Sequence, residues 1–202
     1  TVDIAHYDSS NIFAYNGMAV DSNGILYMSN SSAMNAGAAI YKATITDKVN
    51  FSVSISPWLQ TSIFRDTMPN GIQIKDNYMY YVSGKGLYKI QITPFGPGFP
   101  MLLYYTFTQE NILDDLVIFP DGKIAVAEVN LAGVLQSTNG DVDGLNQIVI
   151  LTPFFFFYNK KYIQTTPYAI SSLAVGNGDI FTKNALVATS WSKGNIHEFI
   201  IQ

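Results

Sequence analysis

Apolar residues along this chain fall into short runs separated by polar turns, and one arrangement of run and turn recurs four times. The first copy is Asn16-Gly17-Met18-Ala19-Val20-Asp21, then Ser22-Asn23-Gly24, then Ile25-Leu26-Tyr27-Met28-Ser29. The second is Asn70-Gly71-Ile72-Gln73-Ile74, then Lys75-Asp76-Asn77, then Tyr78-Met79-Tyr80-Tyr81-Val82. The third is Asp114-Asp115-Leu116-Val117-Ile118, then Phe119-Pro120-Asp121-Gly122, then Lys123-Ile124-Ala125-Val126-Ala127. The fourth is Ser171-Ser172-Leu173-Ala174-Val175, then Gly176-Asn177-Gly178-Asp179, then a longer route to Ala185-Leu186-Val187-Ala188-Thr189. Each reads as strand, tight turn, strand. The turns hold Asn-Gly, Asp-Asn, Asp-Gly and Asn-Gly, which supply the positive φ that short hairpin turns require. A third strand is predicted in each copy, over Ala39–Thr46, Gly86–Thr93, Gln147–Thr152 and Asn195–Ile201. No window sustains an apolar spacing of 3.6 residues between helix caps, so little helix is expected.

The copies start at 16, 70, 114 and 171, which is 54, 44 and 57 residues apart. A four-stranded propeller blade takes about 40–50 residues. The predicted fold is therefore all-β, a β-propeller with four recognisable blades in one domain over residues 1–202. It is either a four-bladed ring or the C-terminal part of a six-bladed one. A sandwich or barrel with coincidental hairpins is the competing architecture. An open blade array would leave an unpaired sheet edge and an uncovered blade face. The ring therefore closes at four, or further blades or a partner chain complete it.

Composition narrows the function classes. The net charge is −4, and the densest basic cluster is the pair Lys160–Lys161, so no nucleic-acid footprint is present. There are no cysteines, which excludes disulfides, thiolate metal ligands and cysteine nucleophiles. No apolar run reaches the length of a transmembrane helix; Ile148–Tyr158 is too short and contains Pro153. No signal peptide is visible at the start, a soluble protein is expected, and the sequence does not decide the compartment. Two glycosylation sequons, Asn30-Ser31-Ser32 and Asn50-Phe51-Ser52, are of a kind that arises often in Asn/Ser-rich chains.

When the copies are superposed, one polar position precedes each first apolar strand: Asn16, Asn70, Asp114 and Ser171. The innermost strand of every blade lines a propeller's channel, so residues at its start would gather at one channel mouth. Two amides and one carboxylate, with Asp115 beside Asp114, are hard oxygen donors of the kind Ca²⁺ takes. The structural alternative is that Asn and Asp stand there only as turn residues bonding their own backbone.

Pro69-Asn70-Gly71-Ile72, followed by a strand, a turn and Tyr80-Tyr81-Val82, resembles the PNG-I motif of the senescence-marker-protein-30/gluconolactonase family and of paraoxonases. Leu113-Asp114-Asp115-Leu116…Asp121-Gly122-Lys123 resembles the aspartate-bearing blade that follows. Asn16-Gly17-Met18…Asp21…Gly24 resembles the asparagine-bearing blade before, and Thr166…Ser171-Ser172-Leu173-Ala174-Val175-Gly176 the final one. The order Asn, Asn, Asp, Ser is similar to that of blades three to six in such six-bladed calcium-dependent lactonases. The resemblance implies one divalent cation, Ca²⁺ or another, held by Asn16, Asn70 and Asp114. It implies Asp114 and Asp115 as catalytic groups, Ser171 as a substrate contact, and a small lactone or ester as substrate. The cation would polarise the carbonyl while a carboxylate activates water. The pattern also departs from the family: no first blade supplies the ligand glutamate, and Glu110, Glu128 and Glu198 are off register. A non-catalytic propeller that binds a small molecule, glycan or protein is the rival expectation.

The remaining features read as structural. Of the two histidines, His6 precedes the first copy and His197 lies on a terminal strand, where a surface or blade-packing role is expected, with a catalytic one as the alternative. Phe154–Tyr158 reads as a strand buried on both faces, with a substrate lid or membrane-touching loop as the alternative. Thr93–Pro100 reads as a rigid, turn-rich connector. Asn139–Gly144 reads as a plain loop, since it lacks the EF-hand spacing and its terminal Glu.

Overall fold

A computed structural model describes residues 14–31, 38–47, 52–60, 68–107, 110–130, 146–154, 157–166, 169–190 and 194–201. The fold is all-β, with four antiparallel sheets of the β-propeller type. The first sheet is β1 (Tyr15–Val20), β2 (Leu26–Asn30), β3 (Ala38–Asp47) and β4 (Ser52–Gln60), paired in that order. The second is β5 (Pro69–Lys75), β6 (Tyr78–Ser83), β7 (Gly86–Thr93) and β8 (Gly96–Pro97), and β9 (Met101–Tyr105) also pairs with β7. The third is β10 (Asn111–Ile118), β11 (Ile124–Asn130), β12 (Asn146–Phe154) and β13 (Phe157–Thr166). The fourth, among the described residues, is β14 (Ile170–Val175), β15 (Leu186–Ser190) and β16 (Ile196–Phe199). Among the described residues, no helix is long and apolar enough to cross a membrane.

The turns form where the sequence places them. Asp76 and Asn77 both take positive φ, 52° and 59°, as a two-residue type I′ hairpin demands. Gly24, Gly122 and Gly178 take φ of 78°, 88° and 98° at the matching turns. In the first turn Asp21 Oδ1 accepts from the amides of Asn23 and Ile25, both at 2.9 Å, so one side chain fixes the whole reversal.

The chain divides into two compact units, residues 1–84 with 88–101, and residues 85–87 with 102–202. In the first unit, apolar side chains from the two blades form one shared core. Tyr27, Ile40, Trp58 and Leu59 of the first blade meet Ile72, Met79, Tyr81 and Ile90 of the second. Met28, Tyr41, Ala43 and Ile55 pack on the other face of the first blade. Successive strand residues point to opposite faces, so Tyr27 and Met28 enter different cores. Burial on both faces is why these strands read as continuous apolar runs rather than alternating ones. The second unit repeats the plan: Val117, Ala125, Ala127, Ile148 and Ile150 of the third blade pack on Ile170, Leu173, Leu186 and Ala188 of the fourth.

One structural expectation needs correction. The Phe154–Tyr158 run is not a strand buried on both faces: β12 ends at Phe154, β13 begins at Phe157, and Phe154 is 53% exposed. A run of like residues carries no turn signal, so the reversal could not be read from it. Asn30 of the first sequon is fully buried at the end of β2 and accepts a hydrogen bond from the Ala14 amide at 3.2 Å, so it is no glycan acceptor. Asn50, and the Asn139–Gly144 loop, lie outside the described residues.

Candidate functional site

The four polar positions singled out in the sequence do not precede their strands. They lie inside them, each at a β-bulge. In β1, Tyr15 pairs with Asn30 and Met18 with Met28, so Asn16 and Gly17 together face Ser29. In β5, Pro69 pairs with Ser83 and Ile72 with Tyr81, so Asn70 and Gly71 face Val82. In β10, Leu113 pairs with Glu128 and Leu116 with Val126, so Asp114 and Asp115 face Ala127. In β14, Ile170 pairs with Ser190 and Ser172 with Thr189, which leaves Ser171 as the extra residue. Each first strand thus carries one residue more than its partner at the same place. A bulge bends its strand and re-aims side chains, and bulges are over-represented beside active sites.

In the first unit the two bulges sit against each other. A Cβ on Gly17 would run into the Asn70 carbonyl oxygen and stand 2.8 Å from the Ile72 amide nitrogen. Only glycine permits that approach. Ser29, fully buried on β2, ties the junction: its hydroxyl accepts from the Gly17 amide at 2.8 Å and donates to the Asn70 carbonyl at 2.6 Å. Ser31 donates to the Pro69 carbonyl at 2.8 Å. Around this backbone junction the Asn16 side chain is exposed and that of Asn70 half-buried.

In the second unit the bulges of β10 and β14 are linked by a carboxylate. Asp115 Oδ2 accepts from the Leu173 amide at 2.8 Å and from the Ser172 hydroxyl at 3.2 Å. Burial raises the Asp115 pKa above the ordinary carboxylate value, and the hydrogen bonds from Leu173, Leu116 and Ser172 oppose this without cancelling it. Asp114 is the more enclosed of the two, at 7% exposure. Ser171 lies on its own hairpin, with its Oγ 3.3 Å from the Thr189 carbonyl and 3.2 Å from the Thr189 hydroxyl. The structure therefore brings Asn16 close to Asn70 along the backbone, and joins Asp115 to the strand that carries Ser171.

Other titratable groups fall elsewhere. His197 stacks on Phe199 with ring centroids 6.3 Å apart on β16, and His6 lies outside the described residues. Glu198 accepts from the Thr182 amide at 2.6 Å. Glu128, directly across from Leu113 beside the third bulge, is 1% exposed. It accepts from Tyr104 Oη at 2.8 Å, from Asn111 Nδ2 at 3.0 Å, and from the Thr106 hydroxyl at 2.5 Å. Three donors on one carboxylate make this an anchor for the segment that enters β10. Its sequence signal is a lone acid inside the apolar run Ile124-Ala125-Val126-Ala127-Glu128-Val129.

Among the described residues, no three His, Asp or Glu side chains group together as a metal-binding cluster. The donor set read from the sequence is of another kind: two neutral amide oxygens, from Asn16 and Asn70, and one carboxylate, Asp114. These are hard donors that suit a hard cation, with little negative charge to hold it.

No family model matches the sequence, and no curated protein matches it. Solved structures do resemble it. A gluconolactonase from Xanthomonas campestris is 13% identical with a TM-score of 0.61, over 93% of this chain and 57% of the other. A nidogen/laminin complex contains a chain 12% identical with a TM-score of 0.58, over 88% of this chain and 57% of that one. A calcium-binding regucalcin from Agrobacterium tumefaciens is 12% identical with a TM-score of 0.55, over 95% of this chain and 61% of the other. The chain thus spans less than two thirds of the length of these structures. At such identities the likeness shows the fold, and one fold hosts catalysis and binding alike.

Proposed function

We propose that this propeller is a metal-dependent hydrolase of the lactonase/arylesterase type, with Asn16, Asn70 and Asp114 as ligands of one divalent cation. The observation that carries the reading is the bulge repeated in all four first strands, at the residue where the sequence resembles the calcium-dependent lactonases. Bulges re-aim side chains and are over-represented beside active sites, which supports a functional role for the position.

A bound cation would polarise a lactone or ester carbonyl and stabilise the oxyanion that develops on it. The chain's own residues supply the rest. Asp114, buried in β10, is the one carboxylate of the set and would accept a proton from water. Asn16 and Asn70 contribute neutral oxygens. Gly17 and Ser29 fix the backbone on which both asparagines ride. Ser171 offers a hydroxyl to the substrate. Asp115 acts through packing, because its Oδ2 is engaged by Leu173 and Ser172.

That engagement of Asp115 also favours the second reading, a propeller that binds without catalysis. Thermal unfolding with EDTA, then with Ca²⁺ titrated back, separates the two. A ligand held only by the native state stabilises it by about 2.7 kcal/mol at a hundred times Kd. The expected result is a Ca²⁺-dependent rise in Tm, accompanied by δ-lactone or aryl-ester hydrolysis, both lost in Asp114→Ala. No shift at millimolar Ca²⁺ ends the hydrolase reading and leaves the binding one.

A further inference from the structure

At the end of β1 and β5 opposite the bulges, the turns of the first two blades frame a cleft of about 380 Å³. This lies within the roughly 300–1,000 Å³ range of small-ligand sites, near its lower end. Its rear wall is the Tyr27–Trp58 pair, packed edge to face with centroids 5.0 Å apart. Its mouth carries Asp21, Asn23, Lys42 and Asn77. Phe95, in the β7–β8 turn, stands over the edge with its ring fully exposed.

The polar groups are available to a ligand. Lys42 is half-buried on β3, and its ammonium group makes no ion pair or hydrogen bond with any described residue. Asn23 and Asn77 hold their turns through the backbone, which leaves their side-chain amides to offer both donors and acceptors. Asp21 uses Oδ1 for its turn, and its Oδ2 is 3.5 Å from the Tyr27 hydroxyl. One anion and one cation leave the mouth without net charge, so neither a simple anion nor a simple cation is favoured. The matching corner of the second unit differs. There a cleft of about 230 Å³ lies beside Phe119, Asp121, Lys123, Asn184 and Ile201, and Lys123 is paired with Asp121 at 3.1 Å. Among the described residues, the open polar groups of the first corner are thus not repeated at this corner of the second unit.

We infer that this cleft is a second ligand site, separate from the bulges, and that it takes a neutral saccharide ring. Each sugar hydroxyl both donates and accepts, which suits amides set between a carboxylate and an ammonium group. The apolar C–H face of the ring would lie on Phe95, whose exposed ring stands at the edge of the cleft. Nothing in this site depends on a metal or on Asp114.

The test is ligand-observed saturation-transfer NMR with the methyl glycosides of glucose, galactose, mannose and N-acetylglucosamine. Titration of any binder by tryptophan fluorescence follows. At least one glycoside should bind saturably. Phe95→Ala and Lys42→Met should each weaken it, the latter roughly tenfold for the loss of a charged donor. Asp114→Ala should bind as the parent does. Both cleft variants alter side chains outside the cores, and circular dichroism confirms that they fold. Failure of all four glycosides to saturate would overturn the inference. Undiminished binding in the Phe95→Ala/Lys42→Met double variant would do the same. So would saturable binding of benzoate without any glycoside, which marks an anion site.

Discussion

The two blade pairs solve one packing problem by different chemistry. In each, two bulged first strands approach within a unit and need a tie. The first pair uses a neutral one: Gly17 lets backbone meet backbone, and the Ser29 hydroxyl bridges the Gly17 amide and the Asn70 carbonyl. The second pair uses a charged one: the equivalent bulge position is Asp115, whose carboxylate reaches across to the Leu173 amide. The neutral tie runs through backbone atoms and the Ser29 hydroxyl. The charged tie consumes one of the two carboxylates that the sequence offers as catalytic. In the second pair Asp115 is thus a fastener between two bulged strands, whereas Asn16, Asn70 and Asp114 are the ligands proposed above.

The largest effect should come from closing the gap in the neutral tie. Gly17→Ala places a methyl group against the Asn70 carbonyl, where backbone and not a flexible side chain must yield. We expect a loss of about 3 kcal/mol, at the upper end for overpacking, read as a fall in the urea midpoint at unchanged slope. A change below about 0.5 kcal/mol would mean that the two strands are not held in contact at the bulge. The second pair has a non-glycine residue at the same place and no such sensitivity.

Asp115→Ala is next, at about 2 kcal/mol. It removes the acceptor of the Leu173 amide and of the Ser172 hydroxyl, and an unpaired buried donor costs about 1–3 kcal/mol. Urea unfolding measures it. If Asp115 is catalytic rather than a fastener, the variant should instead unfold like the parent while losing hydrolysis.

This division also explains what could be read in the sequence. The blades were legible because turn chemistry and apolar runs are local signals, and Asp76-Asn77 or Asp121-Gly122 announce their turns directly. The four key positions were legible as a register, yet were placed before the strands. An extra residue inside a ladder leaves no mark on period-two alternation when both faces are buried. The tie between Asp115 and Leu173 joins residues 58 positions apart in sequence, and no local pattern encodes it. The same holds for Glu128, whose donors come from three separate positions, and for the cleft at Lys42, whose lining comes from both blades of the first unit.

Ser29→Ala should cost about 1 kcal/mol, near the usual net value of a hydrogen bond. The Gly17 amide loses its acceptor, but the backbone contact at the glycine persists. Because Ser29 and Gly17 serve one junction, the double variant with Gly17→Ala should fall short of the sum of the two single losses. Full additivity in urea unfolding would show that the serine and the glycine act independently.

The smallest effect separates the two ties most cleanly, because only one of them titrates. The folded pKa of Asp115 is raised above its unfolded value, so the folded state binds the proton more tightly than the unfolded chain does. Its contribution to stability is therefore fully present below the unfolded carboxylate pKa and is lost as pH rises through the folded one. Asp115→Asn removes that titration while keeping an oxygen acceptor for Leu173. The variant should gain on the parent as pH rises through the folded pKa of Asp115, and the difference should level off above it. Ser29→Ala should track the parent at a constant offset over the same range. A parallel pH profile for Asp115→Asn would mean that burial does not govern this carboxyl. The contrast between a charged and a neutral tie would then rest on geometry alone.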